Sequence, residues 1–248
     1  VAISYIGGAV NSAINAGSVS VTLPGSMQVD DLILLAWSCG DDDFTQPTLA
    51  MSTAGYTELT SSTLSADGGT AGDGNLAVFY KFHNGSDTTA VTAASGTGTD
   101  SSNAVALMVF RGVATVAQGG PLAIAIQTAS GTTSGDADPP QVSTFDEATS
   151  WVVAIGACSS PSATDPVPTA PTNYTTNAQL RSSAAETFRA GVGMGYRSGA
   201  SDPENPGVFS SAANGAWCAA TVVLLPAPDL VKARLLSLRG AGGGPRSY

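Results

Sequence analysis

Nearly every apolar segment of this chain is four to ten residues long, rich in Val, Ile, Leu, Phe or Tyr, and fenced by Gly, Ser, Asp, Asn or Pro. That is the strand-and-turn pattern of all-β proteins. It predicts strands near residues 2–7, 18–23, 31–38, 56–62, 75–83, 88–93, 104–111, 121–127, 140–144, 151–158, 174–180, 188–197 and 215–225. Helix signals are nearly absent before residue 229. A chain of 248 residues can bury a substantial core, and a β sandwich of that size need not divide into two domains.

The second half of the sequence overlays weakly on the first. Val29 to Cys39 matches Ala148 to Cys158, Gly55-Tyr56-Thr57 matches Asn173-Tyr174-Thr175, Phe79-Tyr80-Lys81 matches Gly195-Tyr196-Arg197, and Ala104 to Phe110 matches Ala216 to Val222. The offset drifts from 119 to 112, as it does when only loops change length. Two roughly four-stranded units facing each other would make a two-sheet antiparallel sandwich, with a jelly roll as the expected wiring. One unit alone would leave a sheet face uncovered. The expectation is therefore a single domain over 1–227 containing a weak duplication.

Residues 228–248 differ in chemistry. Asp229 is placed to cap a short helix from Leu230 to Arg239, with Leu230, Val231, Leu235 and Leu238 apolar and Lys232, Arg234 and Arg239 basic; the Gly240 to Pro245 stretch stops it. About ten residues form a marginal helix alone, so this segment needs a surface to pack on. That surface is either its own sandwich or a neighbouring subunit. The net charge of −10 divides into −14 on residues 1–231 and +4 on 232–248. An acidic body argues against nucleic acid as a partner, because phosphate neutralisation needs clustered Lys and Arg. The basic tail suits an acidic partner such as another copy of the chain. No apolar run reaches 18 residues and the first residues lack a basic n-region, so neither a membrane span nor a signal peptide is expected.

Few residues invite chemistry. The lone His83 follows Phe79-Tyr80-Lys81-Phe82 and precedes Asn84-Gly85; no Gly-x-Ser-x-Gly nucleophile elbow accompanies it, and a turn-flanking surface role is expected. Cys39, Cys158 and Cys218 cannot all pair, and each sits in an apolar run, which suits buried free thiols better than a disulfide or zinc. The carboxylates cluster at Asp30-Asp31, Asp41-Asp42-Asp43, Asp136 with Asp138, and Asp146-Glu147, nearly all in loops. A glycosidase pair needs a cleft that separates two pKa values, and Asp41 to Asp43 lacks the alternating ligand pattern of a calcium loop. No catalytic residue, metal or cofactor is predicted.

The strands Asp31-Leu32-Ile33-Leu34-Leu35-Ala36, Ala54-Gly55-Tyr56-Thr57-Glu58-Leu59, Val78-Phe79-Tyr80-Lys81, Val109-Phe110-Arg111-Gly112-Val113 and Thr221 to Pro226 resemble, in that order, a loose family of β-sandwich modules common in virion proteins of tailed bacteriophages. The resemblance spans about residues 1–227. Asp30 stands where the family has Gly, and Thr53-Ala54-Gly55-Tyr56 where it has a Pro-x-Gly-Trp turn. The likeness implies a non-enzymatic structural protein assembled into virions in the host cytoplasm. A head decoration or cement protein is its first form: a homo-oligomer that also contacts the major capsid protein. The alternative is a tail or fibre module that binds a host-surface glycan or receptor through aromatics, with Tyr56, Tyr174, Trp37 and Trp217 as candidates.

Overall fold

The computed structural model describes residues 1–14, 18–41, 48–60, 64–66, 73–95, 102–115, 124–132, 136–160, 169–181, 189–210 and 215–228. These residues are all-β with antiparallel pairing. The strands are β1 (Ser4–Ile14), β2 (Ser20–Thr22), β3 (Leu32–Asp41), β4 (Thr48–Met51), β5 (Thr57–Glu58), β6 (Leu64–Ala66), β7 (Asp73–Phe82), β8 (Thr89–Ser95) and β9 (Ser102–Arg111). The second half adds β10 (Ile124–Gly131), β11 (Trp151–Ser160), β12 (Thr175–Arg181), β13 (Arg189–Ser198) and β14 (Trp217–Leu224). The short strands β4 and β6 fall outside the sequence-based expectation, and residues 140–144 contribute only a bridge, Val142 to Glu204. The predicted helix at 230–239, with its residues Leu230, Val231, Lys232, Arg234, Leu235, Leu238 and Arg239, lies outside the described residues.

Pairing follows one rule in the first half: β1 joins β9, β2 joins β8, and β3 joins β7. Such nesting is what a single long hairpin produces when it rolls up. The large sheet runs β1-β9-β3-β7-β5 with β6 also on β7, and the small sheet runs β2-β8-β4. The second half repeats the order as β10-β14-β11-β13-β12. Outside that sheet, bridges from Ala137 to Phe209, Val142 to Glu204 and Thr169 to Ser210 stand where the first half has its small sheet. The rolled wiring therefore lies within each half rather than across the two.

Register carries the correspondence to single residues. Thr57 faces Tyr80 as Thr175 faces Tyr196, and Ile33 faces Lys81 as Val152 faces Arg197. Gly55 and Asn173, matched in the sequence, both adopt positive φ, at 88° and 71°. One match moves. Leu32 faces Phe110 and its counterpart Trp151 faces Leu224, so the ladders equate Phe110 with Leu224, two residues beyond the Val222 of the sequence alignment. A slip of two keeps every side chain on its face, which is why composition alone does not expose it.

The six-stranded sheet is covered on both sides. Leu32, Leu34 and Ala36 point into a core shared with the five-stranded sheet, while Ile33, Leu35 and Trp37 point under the small sheet with Val21, Leu23 and Leu49. This double burial explains why the Leu32 to Trp37 run has no polar alternation. The shared core tapers. Along β9 the inward residues are Ala104, Ala106, Met108 and Phe110; along β13 they are Ala190, Val192, Met194 and Tyr196; along β14 they grade from Ala216 to Leu224. β11 runs the other way, from Trp151 through Val153 and Ile155 to Ala157. All the small residues collect at one end. There a Cβ on Gly74 would lie 2.7 Å from the Ala216 carbonyl oxygen, and one on Gly40 would lie 3.1 Å from the Arg189 carbonyl, so the two sheets meet backbone to backbone. The other end is propped open by rings: Tyr196 stacks on Tyr5 at 4.9 Å and on Trp151 at 5.2 Å, and Phe110 meets all three edge-on.

Candidate functional site: the clamped strand ends

At the wide end of this wedge Asp31 with Arg111, Lys81 with Asp87 and Arg197 with Glu204 form three clamps. Asp31 is buried, and Arg111 grips it through Nε to Oδ1 at 2.9 Å and Nη2 to Oδ2 at 2.8 Å. The Gln28 amide donates to the same carboxylate at 2.8 Å, and Arg111 also donates to the Ser26 carbonyl, so the pair holds the loop entering β3. Asp30, at φ 69°, turns the chain into that strand. Its left-handed backbone is a conformation that glycine adopts readily and other residues rarely.

The other two clamps are counterparts. In the first half Lys81 Nζ lies 2.7 Å from Asp87 Oδ1 and 5.5 Å from the Tyr56 ring centre. In the second, Arg197 Nη1 lies 2.8 Å from Glu204 Oε1, which also accepts the Tyr174 hydroxyl at 3.0 Å. Each cluster joins the tyrosine before β5 or β12, the cation near the end of β7 or β13, and an acid six or seven residues later. The chemistry differs in one respect. Glu204 reaches its tyrosine, whereas the oxygens of Asp87 meet Lys81, His83 and the Asn84 amide, and the Tyr56 hydroxyl is buried without a hydrogen bond. Burial pushes both tyrosine pKa values upward, and the neighbouring carboxylate adds to the shift in each case.

His83 departs from the surface role expected of it. It is buried, its Nδ1 lies 3.3 Å from Asp87 Oδ2, and its backbone exchanges hydrogen bonds with Asp30 and Asp31. The turn after it brings Asp87 back to the ring, which adjacency to Asn84-Gly85 does not reveal. With Thr22, Leu23, Met27 and Asp87 it lines a groove of about 410 Å³. Three further carboxylates hold loops: Asp146 accepts the Ala148 amide and the Thr149 hydroxyl, Glu147 accepts the Asp202 amide, and Asp202 accepts the Thr144 amide. Asp42 and Asp43 lie outside the described residues.

The aromatic candidates face inward. Trp37 is fully buried and donates Nε1 to Asn103 Oδ1 at 3.0 Å, Tyr174 is buried against Glu204, and half-buried Trp217 lies over Gly131 of β10. The three cysteines are buried and none is in a disulfide, and burial pushes the Cys218 thiol up to about 12. Sequence reasoning missed Asp87 and Glu204 as clamp acids, because contacts at loop ends leave no periodic signal. The clamps join segments distant in the sequence, Asp31 with Arg111 and Tyr56 with Lys81.

Asp87 makes the first clamp sensitive to acid. Burial opposes its charge, but hydrogen bonds from Lys81 and the Asn84 amide, the Lys81 charge and His83 outweigh that and hold its pKa below the usual aspartate range. A carboxylate depressed in the folded state contributes stability above its unfolded pKa, near about 4, and that contribution is lost as pH falls through the lowered value. Asp87→Asn is expected to lower the melting temperature at neutral pH and to flatten its decline below about pH 4. Thermal melts across pH check this; parallel wild-type and variant curves would remove Asp87 from the account.

No protein-family model matches this chain, and no curated protein matches it.

Proposed function

We propose that this chain is a non-enzymatic structural protein of a tailed-bacteriophage virion, a head decoration or other accessory capsid protein that works as a homo-oligomer. Its frame is a tandem of jelly-roll-like sandwiches joined through their large sheets. The observation that carries the reading is the doubled, nested strand order with one tapered core between the halves. A block buttressed on both faces of its central sheet, with its charges closing loops onto strand ends, resists deformation and presents a fixed outline. A particle component needs that property more than it needs a mobile cleft. The first-half segments that resemble phage modules are those that meet in the clamps, which supports the same assignment.

The test is mass spectrometry of density-purified phage particles from a culture producing the protein, with free protein removed. Stoichiometric recovery with the major capsid protein is the expected result. Recovery only in the soluble fraction, or turnover of a substrate by the purified chain that His83→Ala or Asp87→Ala abolishes, would overturn the assignment.

A further inference from the structure

The wide end holds more than clamps. A groove of about 330 Å³ is lined there by Ala2, Ile3, Ala148, Thr149, Trp151 and Pro226, and a second of about 240 Å³ by Val29, Asp30, Gly112, Val113 and Ala227 among others. Val29 is 61% exposed at its rim. The first groove borders Pro226 and the second Ala227, next to the last described residue, Pro228. That segment is anchored, with Ala227 N donating to the Gly112 carbonyl at 2.7 Å and Val113 bridged to Pro226.

Charge at this end is one-sided. Lys81, Arg111 and Arg197 are each matched by a carboxylate. Asp30, Asp146, Glu147 and Asp202 have no cation among the described residues, and the first three are exposed. What leaves from Pro228 is the complement: Leu230, Val231, Leu235 and Leu238 interleaved with Lys232, Arg234 and Arg239.

Resting on the homo-oligomer reading above, we infer that residues 230–239 of one copy dock in the Trp151–Pro226 groove on the acidic wide end of a second copy. Burial of the leucines and attraction of the basic residues then favour the same face. The homo-oligomer reading supplies the second copy that offers this groove. A contact between one copy's arm and another's groove, repeated by symmetry, closes a dimer or ring.

The test uses full-length protein in three forms: wild type, Ala148→Trp, which fills the groove from an exposed loop position, and Leu235→Asp with Leu238→Asp, which spoils the arm. Mass is followed against concentration by sedimentation equilibrium, and thermal melts verify folding. Wild type is expected to self-associate, and each variant alone to do so about ten-fold or more weakly. Mixing the two variants is expected to restore association, because an intact arm then meets an intact groove. Ala148→Arg, at the same exposed position of that groove, serves as a second blocked face if Ala148→Trp does not fold. A monomeric wild type, variants that associate like wild type, or a mixture that stays dissociated each overturn the inference. Failure of the virion reading is separate: wild type would then be missing from particles whether or not mixing restores association. If the arm variant still enters particles at full stoichiometry, the virion reading stands and the arm inference falls.

Discussion

Phe110→Ala is expected to destabilise the protein by about 3–5 kcal/mol, the range for removing a buried aromatic side chain. The ring is fully buried and meets Tyr5, Trp151 and Tyr196 at centroid distances of 5.9, 6.1 and 5.9 Å, edge-on in each case. Two of its neighbours are stacked on the third, so they are poorly placed to collapse into the space the ring vacates. The cost should therefore contain a cavity term as well as lost transfer energy. Tyr5 belongs to an edge strand of one sheet and Trp151 to the middle of the other, so the loss also loosens the contact that keeps the wide end spread. Phe110→Leu refills part of the volume and should cost about 1.5 kcal/mol or less. Urea unfolding of the two variants checks the order. A loss below about 1 kcal/mol for Phe110→Ala would mean that the aromatic group is ornamental and the wedge is held by its narrow end alone.

Glu204→Ala is expected to cost about 3 kcal/mol, the lower bound for stranding a buried charge network. Its carboxylate accepts from Arg197, from the Tyr174 hydroxyl and from the Ser201 amide at 3.2 Å, while its backbone exchanges two 2.9 Å hydrogen bonds with Val142. Removing the side chain leaves a buried phenol and an amide without an acceptor, and an arginine without its carboxylate. The figure stays at the low end because the Arg197 side chain is 30% exposed and water can take over part of its solvation. Tyr174→Phe removes one donor and leaves the ion pair, so its cost should be about 1 kcal/mol. A double-mutant cycle between these positions should show coupling, since both changes act on one hydrogen bond. Additive losses would place Glu204's effect in its contacts with Arg197 and the Ser201 amide instead.

The two clamps also bear on how the halves relate. Tyr56, Lys81 and Asp87 correspond to Tyr174, Arg197 and Glu204 by strand position, yet the second triad is closed by hydrogen bonds and the first leaves its phenol unpartnered. Asp87 lies against His83, a residue type found nowhere else in the chain. The same scaffold position has thus been adapted once to a closed network and once to the edge of a groove.

Much of the architecture was legible before any coordinates. Short apolar runs between turn formers imply strands, because residues such as Leu32 to Trp37 have no polar face and must be covered on both sides. Three thiols set in apolar runs imply buried cysteines outside any disulfide, and the Cys39 and Cys158 segments do occupy the middle of their respective sheets. Local pattern carries these features because strand formation and burial depend on a few consecutive side chains.

Contacts between distant segments are another matter. The Asp31–Arg111 pair spans 80 residues and the Cys218 thiol reaches the Gly74 carbonyl across 144, separations over which periodicity is silent. The small strands β4 and β6 went unseen because single-sided, four-residue-or-shorter pairing leaves almost no pattern to read. The two-residue displacement between the Phe110 and Leu224 positions was invisible because it preserves the inside-outside alternation. The sequence by itself determined most of the segments that become strands, the long ones above all. Tertiary structure alone decided that these form two sets that roll separately, meet on their large sheets and taper from backbone contact at Gly74 to stacked rings at Tyr196. Strand identity is a local free-energy choice, whereas the spacing between two sheets is set only when side chains from many strands compete for one volume.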